Sequence, residues 1–128
     1  MLSKVSNILI VDDEKAVAAS IKAALKGMGH AADVIHDGGD ALTRITKSPG
    51  HYDILITDHL MRTVSGLEFL IQLPVNTFKG KIIVLSAYLT PELESKYRAL
   101  GVGTMIRKPF DVDELRKAVG ASQPPPEK

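Results

Sequence analysis

The stretch Ile8-Leu9-Ile10-Val11-Asp12-Asp13-Glu14 sets an unbroken, β-branched-rich apolar run directly against three acids. An apolar run with no polar residue alternating through it is the pattern of a strand buried on both faces, as in parallel sheets. The acids then mark the carboxyl end of that strand. One acid would serve as a helix cap, but three in a row after a buried strand are costly unless something binds them. The stretch therefore points to a fold and to a site.

The same pattern repeats downstream. Val17, Ile21, Leu25 and Met28 recur at helical spacing, with Gly27 and Gly29 offering a stop. Residues 31–35 read as a weaker second strand. Asp37 to Lys47 reads as a short helix with Ala41, Leu42 and Ile45 inward, ended by Ser48-Pro49-Gly50. Ile54-Leu55-Ile56 forms a third strand running into Thr57-Asp58. Ser65 and Glu68 have capping-box spacing and open a helix expected to face Leu67, Leu70 and Ile71 inward. Residues 74–80 read as loop and Lys81–Leu85 as a fourth strand. Thr90-Pro91 starts a helix with Leu93, Tyr97 and Leu100 on its inner face, closed by Gly101. Val102–Ile106 reads as a fifth strand, and Asp111 with Glu114 opens a last helix carrying Leu115 and Val119. Alternation of this kind predicts an α/β fold: a single doubly wound, five-stranded parallel sheet with helices on both faces.

Composition bounds the answer. The 128 residues fit one domain, expected over 1–120, and 45% are apolar, enough for a core without cross-links. Residues 121–128, with Pro124-Pro125-Pro126, read as a disordered proline-rich tail or the start of a linker. No cysteine is present, which excludes disulfides, zinc–thiolate sites, iron–sulfur clusters and a thiol nucleophile. Basic and acidic residues, 16 and 15, are interspersed, so no basic footprint for nucleic acid exists. No apolar run approaches the roughly 18 residues of a membrane span, and the short run at Ile8–Val11 is stopped by Asp12, unlike a signal peptide. The expectation is a soluble, cytoplasmic domain without direct nucleic-acid or membrane binding.

In open α/β sheets ligands bind outside the carboxyl ends of the strands. Asp12, Asp13 and Glu14 follow the first strand, Asp58 ends the third, Ser86 the fourth, and Lys108-Pro109 the fifth. Clustered carboxylates call for a hard cation such as Mg2+, which takes oxygen ligands and pairs carboxylates with a substrate phosphate. A carboxylate can also attack phosphorus to give an aspartyl phosphate, with a cation and a lysine neutralising the moving oxygens and a hydroxyl donating a hydrogen bond.

Together Ile-Leu-Ile-Val-Asp-Asp-Glu (8–14), the Asp58 segment running to Gly66, Val-Leu-Ser-Ala (84–87) and Arg-Lys-Pro-Phe (107–110) resemble the response-regulator receiver domain of two-component signalling, over about residues 7–120. The resemblance implies a flavodoxin-like (βα)5 fold with strand order 2-1-3-4-5. It implies a phosphorelay role in which Asp58 accepts a phosphoryl group from a sensor histidine kinase or a phosphotransfer protein. It implies that Asp13 binds Mg2+ directly, Asp12 mainly through water, and that Asp58 and the Leu60 backbone carbonyl complete the metal site. Ser86 would bond the phosphoryl oxygen and carry the switch, Lys108 would pair with the phosphoryl group, and the Lys108–Pro109 bond would be cis. Such a protein is a phosphoacceptor and not an enzyme on a separate substrate. Its output face, by analogy, spans residues 90–120 and serves a homodimer or an effector.

Some positions depart from that pattern. Met105 stands where the family usually has Tyr or Phe, and Tyr88 is the nearest candidate for a related switch role. Arg62 replaces a common proline and reads as a solvated side chain. Leu60 gives an attacking water no hydrogen bond and Tyr88 obstructs it, so self-dephosphorylation is expected to be slow. The histidines, His30, His36, His51 and His59, lack paired metal spacing and read as solvated or packing residues. Met105 and Arg62 keep a second reading open, a phosphorylation-independent interaction module. A phosphohydrolase would want a second acid at Leu60, and a flavin carrier would be repelled by Asp12-Asp13-Glu14.

Overall fold

The computed structural model describes residues 5–73 and 78–120; the expected tail at 121–128 and positions 74–77 of the expected loop lie outside them. Ten elements alternate along the chain: β1 (Asn7–Val11), α1 (Lys15–Gly27), β2 (Ala31–Ile35), α2 (Gly38–Lys47), β3 (Ile54–Asp58), α3 (Gly66–Gln72), β4 (Lys81–Ser86), α4 (Pro91–Ala99), β5 (Thr104–Arg107) and α5 (Val112–Gly120). The strands form one sheet in the order β2-β1-β3-β4-β5, as the resemblance implied. Every neighbouring pair is parallel.

The opening stretch explains why β1 lies in the interior. Ile8 and Ile10 point to one face of the sheet, where α1 and α5 bring Ile21, Leu25 and Leu115. Leu9 and Val11 point to the other, against Ile45, Phe69, Leu70 and Tyr97 of α2, α3 and α4. All four of these β1 residues are fully buried, and each such burial is worth about 1.5–3 kcal/mol. Among the described residues, no helix is long and apolar enough to cross a membrane.

The helix starts are written in side chains. Asp37 accepts from Gly39 N–H, Ser65 and Glu68 form the expected reciprocal box, and Thr90 accepts from Leu93 N–H ahead of Pro91. Asp111 and Glu114 reciprocate in the same way.

Three local expectations need correction. β5 starts at Thr104 rather than Val102, because the Val102 N–H is already spent on the Tyr97 carbonyl at the end of α4. In α3 Leu70 is buried and Leu67 packs against the core as expected, but Ile71 is 61% exposed and Phe69 with Gly66 is buried instead. Phe69 offers the larger apolar surface, so the helix turns about one position from the expected phase. Leu100 is partly exposed, since it caps α4 instead of continuing its inner face.

Candidate functional site: a carboxylate crevice at the sheet's switch point

β1 and β3 are neighbours, yet the chain leaves β1 for β2 on one side and continues from β3 to β4 on the other. The crevice beyond their carboxyl ends is where ligands settle in such sheets. Asp12 follows β1 and Asp58 ends β3, so the register of the two strands alone brings their carboxylates face to face. Carboxylate oxygens of Asp12, Glu14 and Asp58 lie within 4.8 Å of one another.

Lys108 reaches in from the end of β5. Its backbone N–H donates to the Ser86 carbonyl at 2.8 Å, and the Lys108–Pro109 peptide is cis. Its Nζ donates to Asp58 Oδ1 at 2.8 Å and lies 3.9 Å from both Asp12 Oδ2 and Glu14 Oε1. One ammonium thus faces three carboxylates, and it is too far from Asp12 to hydrogen-bond. Asp12 Oδ1 accepts from Glu14 N–H, but Asp12 Oδ2 is buried with no hydrogen-bond partner.

Charge crowding shows in the acidities. Burial pushes Asp12 up to about 6, with the Asp58 and Glu14 charges adding and the Glu14 N–H and Lys108 opposing. Burial also raises Asp58 above the usual carboxylate range, only partly offset by Lys108. Lys108 itself is raised, because the bond to Asp58 and the three negative charges outweigh its own desolvation. The crevice carries surplus negative charge and an orphaned buried oxygen, which is what a bound divalent cation relieves.

Residues 8–120 match the family described as the response regulator receiver domain. The chain belongs to this family. The receiver domain is 34% identical over 108 residues to the transcriptional regulatory protein DltR of Streptococcus agalactiae, covering 84% of this chain and 47% of that protein. It is 30% identical over 112 residues to the sporulation initiation phosphotransferase F of Bacillus subtilis, covering 88% and 89%. It shares the fold of the Vibrio cholerae chemotaxis protein CheY4 with a TM-score of 0.81 at 24% identity, over 91% of this chain and 97% of that one. The chain spans about half the length of DltR, at 47%. It is a receiver of two-component phosphorelay signalling, a class of phosphoacceptor switches.

Within the receiver domain, the structure brings together Asp12, Asp58 and Lys108 of the residues expected from sequence, and adds Glu14. Asp13 is turned toward the β3–α3 loop, where Oδ2 accepts from Arg62 N–H at 2.7 Å and lies 3.7 Å from Arg62 Nε. Proline at 62 would supply no such donor. Ser86 Oγ is engaged locally, donating to the Tyr88 carbonyl at 2.7 Å and accepting from Tyr88 N–H at 3.0 Å. The side chains of Leu60 and Tyr88 are exposed, at 60% and 70%. Met105 is half-buried and packs into the core cluster that contains Tyr97.

Two features were not read from the sequence. His36 Nδ1 donates to the Asp12 carbonyl at 2.9 Å, a cross-strand contact that only the β1–β2 pairing creates. His59 Nδ1 and the Tyr97 hydroxyl meet at 2.5 Å, joining residues 38 apart. No local motif carries such a signal.

Proposed function

We propose that Asp58 is the phosphoacceptor of this receiver domain, taking a phosphoryl group from the phosphohistidine of a sensor kinase or phosphotransfer protein. The observation that carries this reading is the 2.8 Å contact of Lys108 Nζ with Asp58 Oδ1 beside the unpartnered Asp12 Oδ2. Asp58 attacks phosphorus in line, a P–O bond forms, the donor's P–N bond breaks, and the histidine nitrogen leaves with the bonding pair. Lys108 keeps one Asp58 oxygen in place and follows the charge onto the phosphoryl oxygens. Ser86 exchanges its bond to the Tyr88 carbonyl for one to a phosphoryl oxygen, which pulls on the chain between β4 and α4.

Asp12, Asp13, Asp58 and the Leu60 carbonyl would hold Mg2+, and Glu14 is close enough to assist. When bound, the cation supplies positive charge to the carboxylates and to the transferring group. The orphaned Asp12 oxygen and the surplus negative charge support that assignment.

A cleft of about 450 Å3 between α1 and the start of α5 opens beside the site, with Val17, Ile21, Phe110 and Leu115 in its wall and Glu14 and Lys108 also lining it. Its continuity with Lys108 suits it to seat the apolar surface of the phosphodonor. The same reading places the domain in the cytoplasm with that donor, with output through residues 90–120. A phosphorylation-independent module would have no use for an ammonium bonded to a buried carboxylate.

Incubation with acetyl phosphate, read by intact mass, tests the assignment. One phosphoryl group should be gained with Mg2+, little without it, and none in Asp58→Asn. Equal labelling of Asp58→Asn would remove Asp58 from the role.

A further inference from the structure

α4 meets the core through Tyr97 and, partly buried beside it, Leu93. Tyr97 is its one buried residue, fully inaccessible and among the largest side chains in the core. A helix with so few buried contacts sits at the low-stability end of a fold, where its position is easily biased. What matters is where the Tyr97 side chain ends. Its hydroxyl lies 2.5 Å from Nδ1 of His59, the residue directly after Asp58, and the two rings meet edge-on at 5.6 Å and 80°.

The surroundings leave this hydroxyl little freedom. Leu67 N–H, in the first turn of α3, faces the same oxygen. Gly66 N–H donates to the His59 carbonyl at 2.7 Å, and His59 N–H donates to the Leu85 carbonyl at 2.9 Å. A Cβ on Gly66 would lie 2.9 Å from the Tyr97 hydroxyl and 2.5 Å from the Asp58 carbonyl, so only glycine fits between them. His59 Nδ1 and the Tyr97 hydroxyl therefore share one hydrogen bond, which either tautomer of the imidazole can make. Burial disfavours both the phenolate and the imidazolium, consistent with a neutral pair. Met105, packed in the same cluster, has no polar atom with which to make such a bond.

We propose that Tyr97 is a positioning residue for the phosphoacceptor segment, and that its hydrogen bond to His59 carries the state of Asp58 to α4. This rests on the reading of Asp58 as the acceptor. Phosphorylation re-pairs Lys108 and draws Ser86 away from Tyr88, which moves the Asp58–His59 segment and the start of α4 together. The bond at the far end of α4 then reports the first of these movements, and the helix shifts as a unit instead of fraying at its cap.

The test uses backbone amide shifts of the full chain with beryllofluoride and Mg2+, a stable mimic of the acyl phosphate. In the wild type, shifts are expected at 12–14, at 58–62, at 86–88 and along 91–99. Tyr97→Phe keeps the ring and should keep the shifts at the site, while those along 91–99 fall by at least half. His59→Leu cuts the same bond from the other end without touching α4 and should give the same selective loss, which guards against a folding defect in one variant. Full α4 shifts in both folded variants would overturn the inference. A wild-type chain without shifts anywhere would instead overturn the acceptor reading, and the inference with it.

Discussion

At the scale of single residues, the crevice is a problem of charge accounting with Lys108 at its centre. Its side chain is four-fifths buried and its ammonium holds Asp58 at 2.8 Å. Lys108→Met leaves buried carboxylates uncompensated, so about 3 kcal/mol of metal-free stability should be lost in urea unfolding. Phosphorylation by acetyl phosphate should also slow by about 10²-fold, the scale seen when one fixed donor to a transition-state oxygen is removed. Asp12 sets a pH dependence. Its folded-state value of about 6 lies above the ordinary 3.8, so in this interval the folded protein holds a proton that the unfolded chain has released. That stabilising contribution is present at low pH and is lost as pH rises through about 6, the range in which the carboxylate becomes free to bind a cation. Mg2+ affinity measured by calorimetry should therefore weaken as pH falls below about 6, and Asp12→Asn should flatten this dependence. Leu60, exposed and apolar, offers no hydrogen bond to an attacking water. Leu60→Asn should speed loss of the phosphoryl group by up to about tenfold, the worth of one such bond, followed by the decay of the labelled mass.

At the scale of elements, the local chemistry of a segment decides how much of it can be read in advance. The Ser65/Glu68 and Asp111/Glu114 boxes and the Thr90-Pro91 start are satisfied within a few residues, so the sequence carries them whole. The inner face of α3 is different. Leu67 and Leu70 face the core as expected, but Ile71 and Phe69 were equally good candidates for the rest of the stripe, and only packing against the core chooses Phe69. Phe69→Ala should cost about 3–5 kcal/mol and Ile71→Ala about 0.5 kcal/mol or less, compared by urea midpoints. The reverse order would restore the phase expected from the sequence. β5 begins two residues late for a related reason, since α4 takes the Val102 N–H before the sheet can. Asp12, Asp58 and Lys108 were legible because strand ends are legible, and parallel strands must deliver their ends to one rim. The Tyr97–His59 contact was not, because its partners come from a helix and a loop whose meeting depends on how the helix packs.

At the scale of the whole molecule, the fold and the site have one cause. A β1 run buried on both faces forces a parallel sheet with helices on either side. The order β2-β1-β3-β4-β5 then puts the reversal between β1 and β3. There the acids that follow the opening apolar run meet Asp58. The family match over residues 8–120 agrees with that construction. Asp58, among the acids of the crevice, is expected to form the covalent bond to phosphorus. This is tested most directly by treating the chain with acetyl phosphate and Mg2+, reducing the product with borohydride, and mapping peptides by tandem mass spectrometry. An acyl phosphate is reduced under these conditions to the alcohol, so homoserine at position 58 and unchanged aspartate at 12 and 13 is the predicted result. Homoserine at 12 or 13, or none in a folded chain supplied with Mg2+, would contradict it.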